Sequence, residues 1–237
     1  MDILFDLHTH TTASGHAFST LKENIEEAKK KGLLAIGTSD HGMAMPGSAD
    51  PVYFTQLKIL NDSIMGVKIL RGIESNIIDY HGHLDVKDSL LAKMDYIIAS
   101  LHTPCITPGS VEQNTKAIIG AMKNPLVKII GHPDDDRYPL DYEKVVAAAK
   151  EFQVVLELNN SSFQPTSGRV NALKNAEVML NLCKRYEVRV IMSSDAHIYY
   201  NVGTMTDCEK IVQRLDFPEE LVLNYSLEKL KYVLGVC

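Results

Sequence analysis

Short apolar segments recur along the chain, and each is followed by a polar turn and then by apolar residues at helical spacing. Seven segments rich in β-branched and aliphatic residues are predicted as strands, over residues 3–7, 33–38, 67–73, 96–101, 127–130, 154–158 and 188–192. Helices are predicted over residues 21–31, 53–65, 89–94, 111–122, 142–152, 171–186, 207–215 and 226–234. The pattern therefore predicts repeated strand–helix units.

The predicted strands are almost continuously apolar, which is typical of a parallel sheet covered by helices. Seven strand–helix units within 237 residues favour a closed or nearly closed barrel, with a doubly wound open sheet as the alternative. Residues 80–83, Tyr-His-Gly-His, interrupt the pattern and predict an extra turn or hairpin. We expect one α/β domain over residues 1–237, since no flexible linker divides the chain.

Six of the seven predicted strand ends carry a histidine or a carboxylate. These residues are His8, His10, Asp40, His41, Glu74, His102, His132, Asp195 and His197, with His16 soon after the first strand. The other strand ends in the polar run Glu157-Leu158-Asn159-Asn160. Because the carboxyl ends of parallel barrel strands open on one face, seven of the nine histidines are expected to converge there.

The spacing of these residues suggests metal binding. Side chains two positions apart on a strand point the same way, so the two side chains of His8-x-His10, and those of Asp195-x-His197, can bind the same ion. Imidazole and carboxylate are ligands expected for zinc, manganese or iron. Individually, Glu74 could pair with Arg71 and any single histidine could be structural, but their joint placement favours a metal cluster.

Three other polar groups are expected to lie outside the cluster. His81 and His83 are predicted to be exposed or to face substrate. The triplet Asp134-Asp135-Asp136 is predicted to form a solvated acidic loop at the rim of the barrel.

Composition narrows the class of protein. The formal net charge is −6 and no basic track is present, which argues against broad nucleic-acid binding but leaves phosphorylated small molecules open. The amino terminus lacks a signal-peptide pattern, and no apolar run is long enough to span a membrane. Four scattered cysteines, Cys105, Cys183, Cys208 and Cys237, are expected to be reduced, so we predict a cytoplasmic protein.

Several motifs together resemble the PHP (polymerase and histidinol phosphatase) domain family. They are Asp6-Leu7-His8-Thr9-His10, Ser14-Gly15-His16-Ala17-Phe18-Ser19, Thr38-Ser39-Asp40-His41-Gly42, Gly72-Ile73-Glu74, His102, Gly131-His132-Pro133 and Ser194-Asp195-Ala196-His197. The run from Glu157 to Phe163 is similar to small standalone PHP phosphatases. The resemblance spans essentially the whole chain and implies a single-domain, distorted (β/α)7 TIM-like barrel with three divalent metal ions, usually zinc, with manganese or iron in some members.

The resemblance also implies a role for each site residue. His8, His10, Glu74 and Asp195 would surround one ion, and Glu74 would bridge to a second ion held by His102 and His132. His16, His41 and His197 would hold the third ion. Asp6 and Asp40 would orient ligand imidazoles, and Glu74 and Asp195 would belong to the catalytic centre.

A cluster of divalent ions beside few carboxylates attracts anions, so the predicted reaction is hydrolysis of small phosphomonoesters by a hydroxide bridging the metals. Arg169 and Arg137 are candidates for binding the phosphate, although either could be a solvated cation. The alternatives are a phosphodiesterase or 3′–5′ exonuclease, an amidohydrolase, and a metal-binding module without activity. Membrane binding is not expected, and a homo-oligomer is possible.

Overall fold

The computed structural model describes residues 2–235. The strands are β1 (Phe5–Asp6), β2 (Ala35–Thr38), β3 (Ser63–Ile64), β4 (Val67–Asn76), β5 (Tyr96–Ser100), β6 (Val127–Ile130), β7 (Val155–Asn159) and β8 (Val190–Ser193). The helices are α1 (Leu21–Lys30), α2 (Pro51–Gln56), α3 (Asp88–Leu91), α4 (Val111–Met122), α5 (Tyr142–Phe152), α6 (Ala172–Tyr186), α7 (Thr206–Arg214) and α8 (Leu227–Leu234).

Seven strands form one parallel sheet in the order β1-β2-β4-β5-β6-β7-β8. The two ends of this sheet meet beyond β1 and β8, where Ala196 N–H donates to His8 O and His10 N–H donates to Ala196 O at 2.9 Å. The sheet is thus nearly closed into a barrel, which confirms the predicted fold.

The interior of the barrel and its outer face have separate apolar cores. Alternate strand residues such as Phe5, Tyr96 and Ile191 pack together inside, and Leu230 and Leu234 of α8 join that cluster. The intervening residues pack outward against the surrounding helices. Helix α8 therefore covers the amino-terminal end of the barrel and leaves the opposite end available for a site.

The interior changes from apolar to polar towards the carboxyl ends of the strands. On β4, Leu70 lies in the interior, and Gly72 and Glu74 come two and four positions after it. On β7, the interior residue Val155 is followed two positions later by Glu157. Since strand side chains alternate between faces, these carboxylates extend the inner column of side chains. The same periodicity that builds the core therefore places carboxylates at the open end.

The segment before β4 departs from the prediction. A helix over residues 53–65 was expected, but α2 ends at Gln56 and β3 pairs antiparallel with β4. Met65 and Gly66 connect these strands with φ values of 56° and 86°, as a two-residue hairpin with left-handed backbone requires. The predicted turn at residues 80–83 is present, and it lies between Ile77 and Leu84, which form an antiparallel bridge.

The side chain of buried Asn224 forms hydrogen bonds with both the first strand, β1, and the last strand, β8. Its Nδ2 donates to Phe5 O at 3.1 Å and to Met192 O at 2.8 Å, while its Oδ1 accepts from Met192 N–H at 2.7 Å. We expect Asn224→Ala to lower the free energy of unfolding by about 3 kcal/mol, because buried backbone groups would lose their partners. Urea unfolding followed by circular dichroism tests this, with exposed Asn181→Ala as the control, and equal unfolding midpoints for both variants would contradict it.

Three of the cysteines, Cys105, Cys183 and Cys208, are free thiols, and Cys237 lies outside the described residues. Within residues 2–235, no helix has the length and apolar character to cross a membrane. The cytoplasmic location and a homo-oligomeric state stay predictions.

Candidate metal centre

Glu74 lies fully buried at the open end of the barrel, among histidines from other strands. Its Oε2 is 2.8 Å from His41 Nδ1, 3.3 Å from His8 Nε2 and 3.5 Å from His10 Nε2. These residues come from the ends of β1, β2 and β4. One carboxylate oxygen thus faces three imidazole nitrogens.

The second oxygen of Glu74 faces two more histidines. Its Oε1 is 3.0 Å from His132 Nε2 and 3.3 Å from His102 Nε2, and these two nitrogens are 3.2 Å apart. His102 follows β5 and His132 follows β6. Glu74 is therefore placed to bridge two groups of nitrogen atoms.

Asp195 and the remaining predicted ligands extend the cluster. Asp195 Oδ1 is 3.2 Å from His10 Nε2 and 3.5 Å from His197 Nδ1. His197 Nε2 lies 3.1 Å from His16 Nε2. The structure thus brings all nine predicted ligand residues into one contiguous cluster, and their binding of metal stays a prediction.

Three sets of side chains have potential ligand atoms that all lie within 4.8 Å of one another. The sets are His8, His10 and Glu74; His41, Glu74 and His102; and His10, His41 and His197. Such convergence of nitrogen and carboxylate donors suits divalent cations.

Several atoms of the cluster that could bind a metal ion are buried without a hydrogen-bond partner. They are His8 Nε2, His10 Nε2, His41 Nδ1 and Glu74 Oε2. Buried polar atoms normally have partners, because an unpaired one costs about 1–3 kcal/mol. His41 Nδ1 and Glu74 Oε2 are 2.8 Å apart, yet none of the four atoms makes an aligned hydrogen bond, so the residues present fit bound cations.

Hydrogen bonds at the opposite ring nitrogen orient several of these imidazoles. His8 Nδ1 donates to Glu157 Oε1 at 2.7 Å, and His197 Nδ1 donates to the backbone oxygen of Asp195 at 3.0 Å. A neutral imidazole that donates from Nδ1 has its lone pair on Nε2. These contacts direct the lone pairs of both rings into the cluster.

The ionisation of Glu74 and His10 suits metal binding, whereas His8 must lose a proton to bind a cation. Burial would lower the pKa of His8, but Glu157, Glu74 and Asp195 hold it well above its ordinary value. Burial would raise the pKa of Glu74, but His8, His102 and His41 hold it well below its usual range. Burial lowers the pKa of His10 far below its ordinary value, and neighbouring His197 adds to the effect. An ionised carboxylate and a neutral imidazole are the forms that bind a cation.

Two of the predicted ligands have unusual backbone conformations. His132 has φ of 28° and Asp195 has φ of 53°, in the left-handed region. Non-glycine residues there cost of order 1 kcal/mol and cluster at functional sites. Glu157 Oε2 supports the turn at His132 by accepting its backbone N–H at 2.7 Å.

Glu157 has a larger role than the sequence indicated. This fully buried carboxylate accepts hydrogen bonds from the His8 ring, the His132 backbone and, at 3.0 Å, Asn159 Nδ2. The sequence pattern placed it only in a polar strand end. Its position two residues after Val155, an interior residue of β7, was the available signal.

Asp40 is connected to the imidazole of His10 through Ser14, and its role in orienting a ligand stays a prediction. Ser14 Oγ donates to Asp40 Oδ1 at 2.7 Å and lies 3.0 Å from His10 Nδ1, from which it can accept. Asp40 Oδ2 also accepts from Tyr53 at 2.6 Å. The carboxylate thereby holds the hydroxyl that contacts His10.

Asp6 differs from its prediction. It accepts from the Ser194 hydroxyl and from the backbone N–H groups of His8, Ser194 and Gly203, at 3.3, 3.2 and 2.8 Å respectively. None of these contacts involves an imidazole. Asp6 therefore fixes the backbone that carries His8 and Asp195 rather than orienting a ring.

A second supporting pair was missed in the sequence. His102 Nδ1 donates to Asn76 Oδ1 at 2.7 Å, and Asn76 Nδ2 donates to Asp85 Oδ2 at 2.6 Å. Asn76 lies two residues after Glu74 on β4 and so faces the same way. That spacing was the only sequence signal, because Asp85 comes from the turn after β4.

The two candidate arginines lie in different places. Arg169 Nη2 is 2.8 Å from Asp195 Oδ2, and its Nη1 donates to Asn159 Oδ1 at 3.0 Å and Ser162 Oγ at 3.1 Å. Arg137 instead pairs with Asp135, with Nη2 to Oδ2 at 2.6 Å. Of these two arginines, Arg169 contacts a predicted metal ligand and Arg137 pairs with Asp135, so the structure favours Arg169 as the candidate for binding phosphate.

The acidic triplet is not the solvated loop that was expected. Asp134 and Asp135 are both buried. Asp134 accepts a hydrogen bond from Ser162 Oγ, and Asp135 accepts from Arg137 and from the Val170 backbone. These contacts connect the loop after β6 to the segment after β7. His81 and His83 are exposed, as predicted, and His83 pairs with Asp79.

The chain has relatives along nearly its whole length. A probable phosphatase of Caldanaerobacter subterraneus subsp. tengcongensis is 47% identical over 98% of this chain and 91% of the relative. A probable phosphatase of Clostridium novyi is 43% identical over 97% of this chain and 93% of the relative.

Among solved structures, the histidinol phosphate phosphatase of Lactococcus lactis, complexed with zinc, L-histidinol and phosphate, superposes with a TM-score of 0.65. The alignment covers 91% of this chain and 95% of that chain at 17% identity, so the likeness shows the fold alone. The family model for the PHP domain matches residues 6–163. Together with the relatives in sequence, this match confirms the predicted resemblance: the chain belongs to the PHP domain family.

Proposed function

We propose that this PHP domain, taken as one unit over residues 1–237, is a metal-dependent phosphatase that hydrolyses small phosphomonoesters at a trinuclear centre. The phosphatase class is supported by relatives of that description at 43% and 47% identity. The observation that carries the proposal is the convergence of histidine and carboxylate donors, several without hydrogen-bond partners, at the open end of the barrel.

The proposed ligands divide into three groups, two of which share Glu74. His8, His10, Glu74 and Asp195 would hold one ion, and Glu74 would share a second with His102 and His132. His16, His41 and His197 would hold the third. Zinc is the proposed metal, with manganese or iron as alternatives, since all the proposed ligand atoms are imidazole nitrogens or carboxylate oxygens.

The proposed reaction combines metal chemistry with fixed protein charges. When bound, divalent ions would supply Lewis acidity, which activates water near neutral pH and offsets charge on phosphoryl oxygens. Arg169 adds a permanent cation beside Asp195, at a position suited to binding a phosphoryl oxygen. Glu157 and Ser14 hold His8 and His10 in the orientation that ligation requires.

A panel of three chromogenic substrates tests the reaction class. We expect protein loaded with zinc, manganese or iron to hydrolyse 4-nitrophenyl phosphate with kcat/KM about a hundredfold above those for bis(4-nitrophenyl) phosphate and an N-acyl nitroanilide. The same preparation treated with a chelator and the metal salts alone serve as controls. Faster cleavage of the diester would favour the phosphodiesterase or exonuclease alternative, and cleavage of the anilide would favour an amidohydrolase.

A further inference from the structure

A large cavity lies beside the candidate metal centre. Its volume is about 700 Å³, and it lies between the segment that follows β7, the first turn of α6 and helix α7. Volumes of 300–1,000 Å³ are typical of sites for small organic ligands. The cavity is therefore large enough for the part of a substrate that extends away from a phosphate.

Two residues belong to both the cavity wall and the edge of the metal centre. Arg169 and Ser162 line the cavity, and Arg169 Nη1 donates to Ser162 Oγ. The other terminal nitrogen of Arg169 contacts Asp195, whose second oxygen is 3.2 Å from His10 Nε2. Arg169 is thus the side chain that separates the cavity from the predicted metal ligand Asp195.

The cavity wall is richer in cations than in anions. Arg169, Lys174, Lys210 and Arg214 line it, together with the carboxylates Glu177 and Asp207. Arg214 pairs with Glu177, and Lys210 Nζ is 2.9 Å from Asp207 Oδ1.

Lys174 differs from the other three cations. It is exposed, and within residues 2–235 it has no ion-pair partner, whereas Arg169 pairs with Asp195. An anion entering the cavity could therefore bind Lys174 without breaking an existing ion pair.

Apolar side chains complete the wall. Phe163, Leu173 and Ile211 line the cavity between its charged residues. Such a mixture suits a ligand with a hydrocarbon segment that carries a charged group, because apolar surface favours the segment and the cation favours an anion.

We infer that this cavity receives the leaving group of the phosphomonoester, and that the natural leaving group has a short apolar segment ending in a second anionic group. The inference rests on the proposed phosphatase function and specifies its substrate class. Arg169 would mark the boundary between the phosphate at the metal centre and the remainder of the substrate, and Lys174 would select for the second anion.

Three esters with the same hydrocarbon chain test the inference. They are hexyl phosphate, 6-(phosphonooxy)hexanoate and 6-aminohexyl phosphate, which differ only in the neutral, anionic or cationic character of the far end. We expect wild-type protein to show kcat/KM about tenfold higher for the anionic ester than for hexyl phosphate, mostly through KM. Calorimetric binding of hexylphosphonate and 6-phosphonohexanoate gives a readout that does not depend on turnover.

Charge reversal at Lys174 provides the matched comparison. Lys174→Glu is expected to remove the tenfold preference for 6-(phosphonooxy)hexanoate over hexyl phosphate, while both esters are still hydrolysed. Lys93→Glu makes the same charge change at an exposed lysine just before β5, at the opposite end of the barrel, and should keep the preference.

The outcomes separate this inference from the proposed function. Equal turnover of all three esters, or a preference for the cationic ester, would overturn the inference while the phosphatase assignment stands. A preference that survives Lys174→Glu would also overturn it. Failure to hydrolyse any ester, including 4-nitrophenyl phosphate, would overturn the proposed function and this inference with it.

Discussion

Glu74→Gln is expected to lower kcat/KM for a phosphomonoester at least about a thousandfold, and to reduce the bound divalent metal. Glutamine has the shape of glutamate, but its amide nitrogen has no lone pair for a cation and the side chain is uncharged. Because Oε2 of Glu74 faces His41 and Oε1 faces His132, the substitution alters both sides of the cluster. A single atom replacement would thus impair two of the proposed ion sites.

The matched control is Glu27→Gln. Glu27 is also a buried carboxylate, but it lies on α1 and pairs with Lys30 at 3.0 Å, away from the cluster. Metal content by mass spectrometry, steady-state kinetics and circular dichroism should be measured for both variants. We expect native secondary structure in both and loss of metal and turnover only in Glu74→Gln. Full metal content with near wild-type turnover in that variant would refute the proposed centre.

The candidate ligands could be located from the sequence because they occupy equivalent places in a repeating architecture. Each of His41, Glu74, His102 and His132 lies close to the carboxyl end of an apolar strand. In a parallel barrel these ends share one face whatever the details of packing. Neither loop conformation nor side-chain rotamers had to be known to predict the cluster.

The residues that support the ligands were harder to predict, because their roles depend on contacts across the barrel. Glu157 contacts His8, which is 149 positions away in sequence, and no local pattern specifies that pairing. Asp85 reaches Asn76 from an irregular turn. Arg137 was a reasonable candidate by position, yet the neighbouring Asp135 holds its guanidinium.

Local conformation outside the repeat was also missed. Residues 53–65 contain apolar residues at spacings compatible with a helix, but after Gln56 the chain forms a 3-10 turn over Leu57–Ile59 and is extended at Leu60. The left-handed pair Met65 and Gly66 then forms the turn of the hairpin. Pairing of β3 with β4 stabilises this conformation, and such tertiary pairing overrides local helix propensity. The error leaves the site unaffected, because Glu74 lies at the other end of β4.

The second large effect is expected for Glu157→Gln. Glu157 accepts from three donors, with Oε1 facing His8 Nδ1 and Oε2 facing His132 N–H and Asn159 Nδ2. A glutamine has one acceptor oxygen and one donor amide, so either orientation points an N–H at another N–H. Either the His132 N–H loses its acceptor, or the His8 ring must move its proton from Nδ1 to Nε2 and so loses the lone pair that faces the cluster.

We expect Glu157→Gln to weaken metal affinity by about ten- to a hundredfold, as is common when the partner of a ligand imidazole is removed. Titration with a competing chelator measures this change, and the exposed Glu143→Gln is the control. A positioning role also predicts that excess metal restores most of kcat to Glu157→Gln, whereas Glu74→Gln stays inactive. If excess metal filled the centre of Glu157→Gln without restoring kcat, the expectation that Glu157 acts through metal occupancy would be wrong.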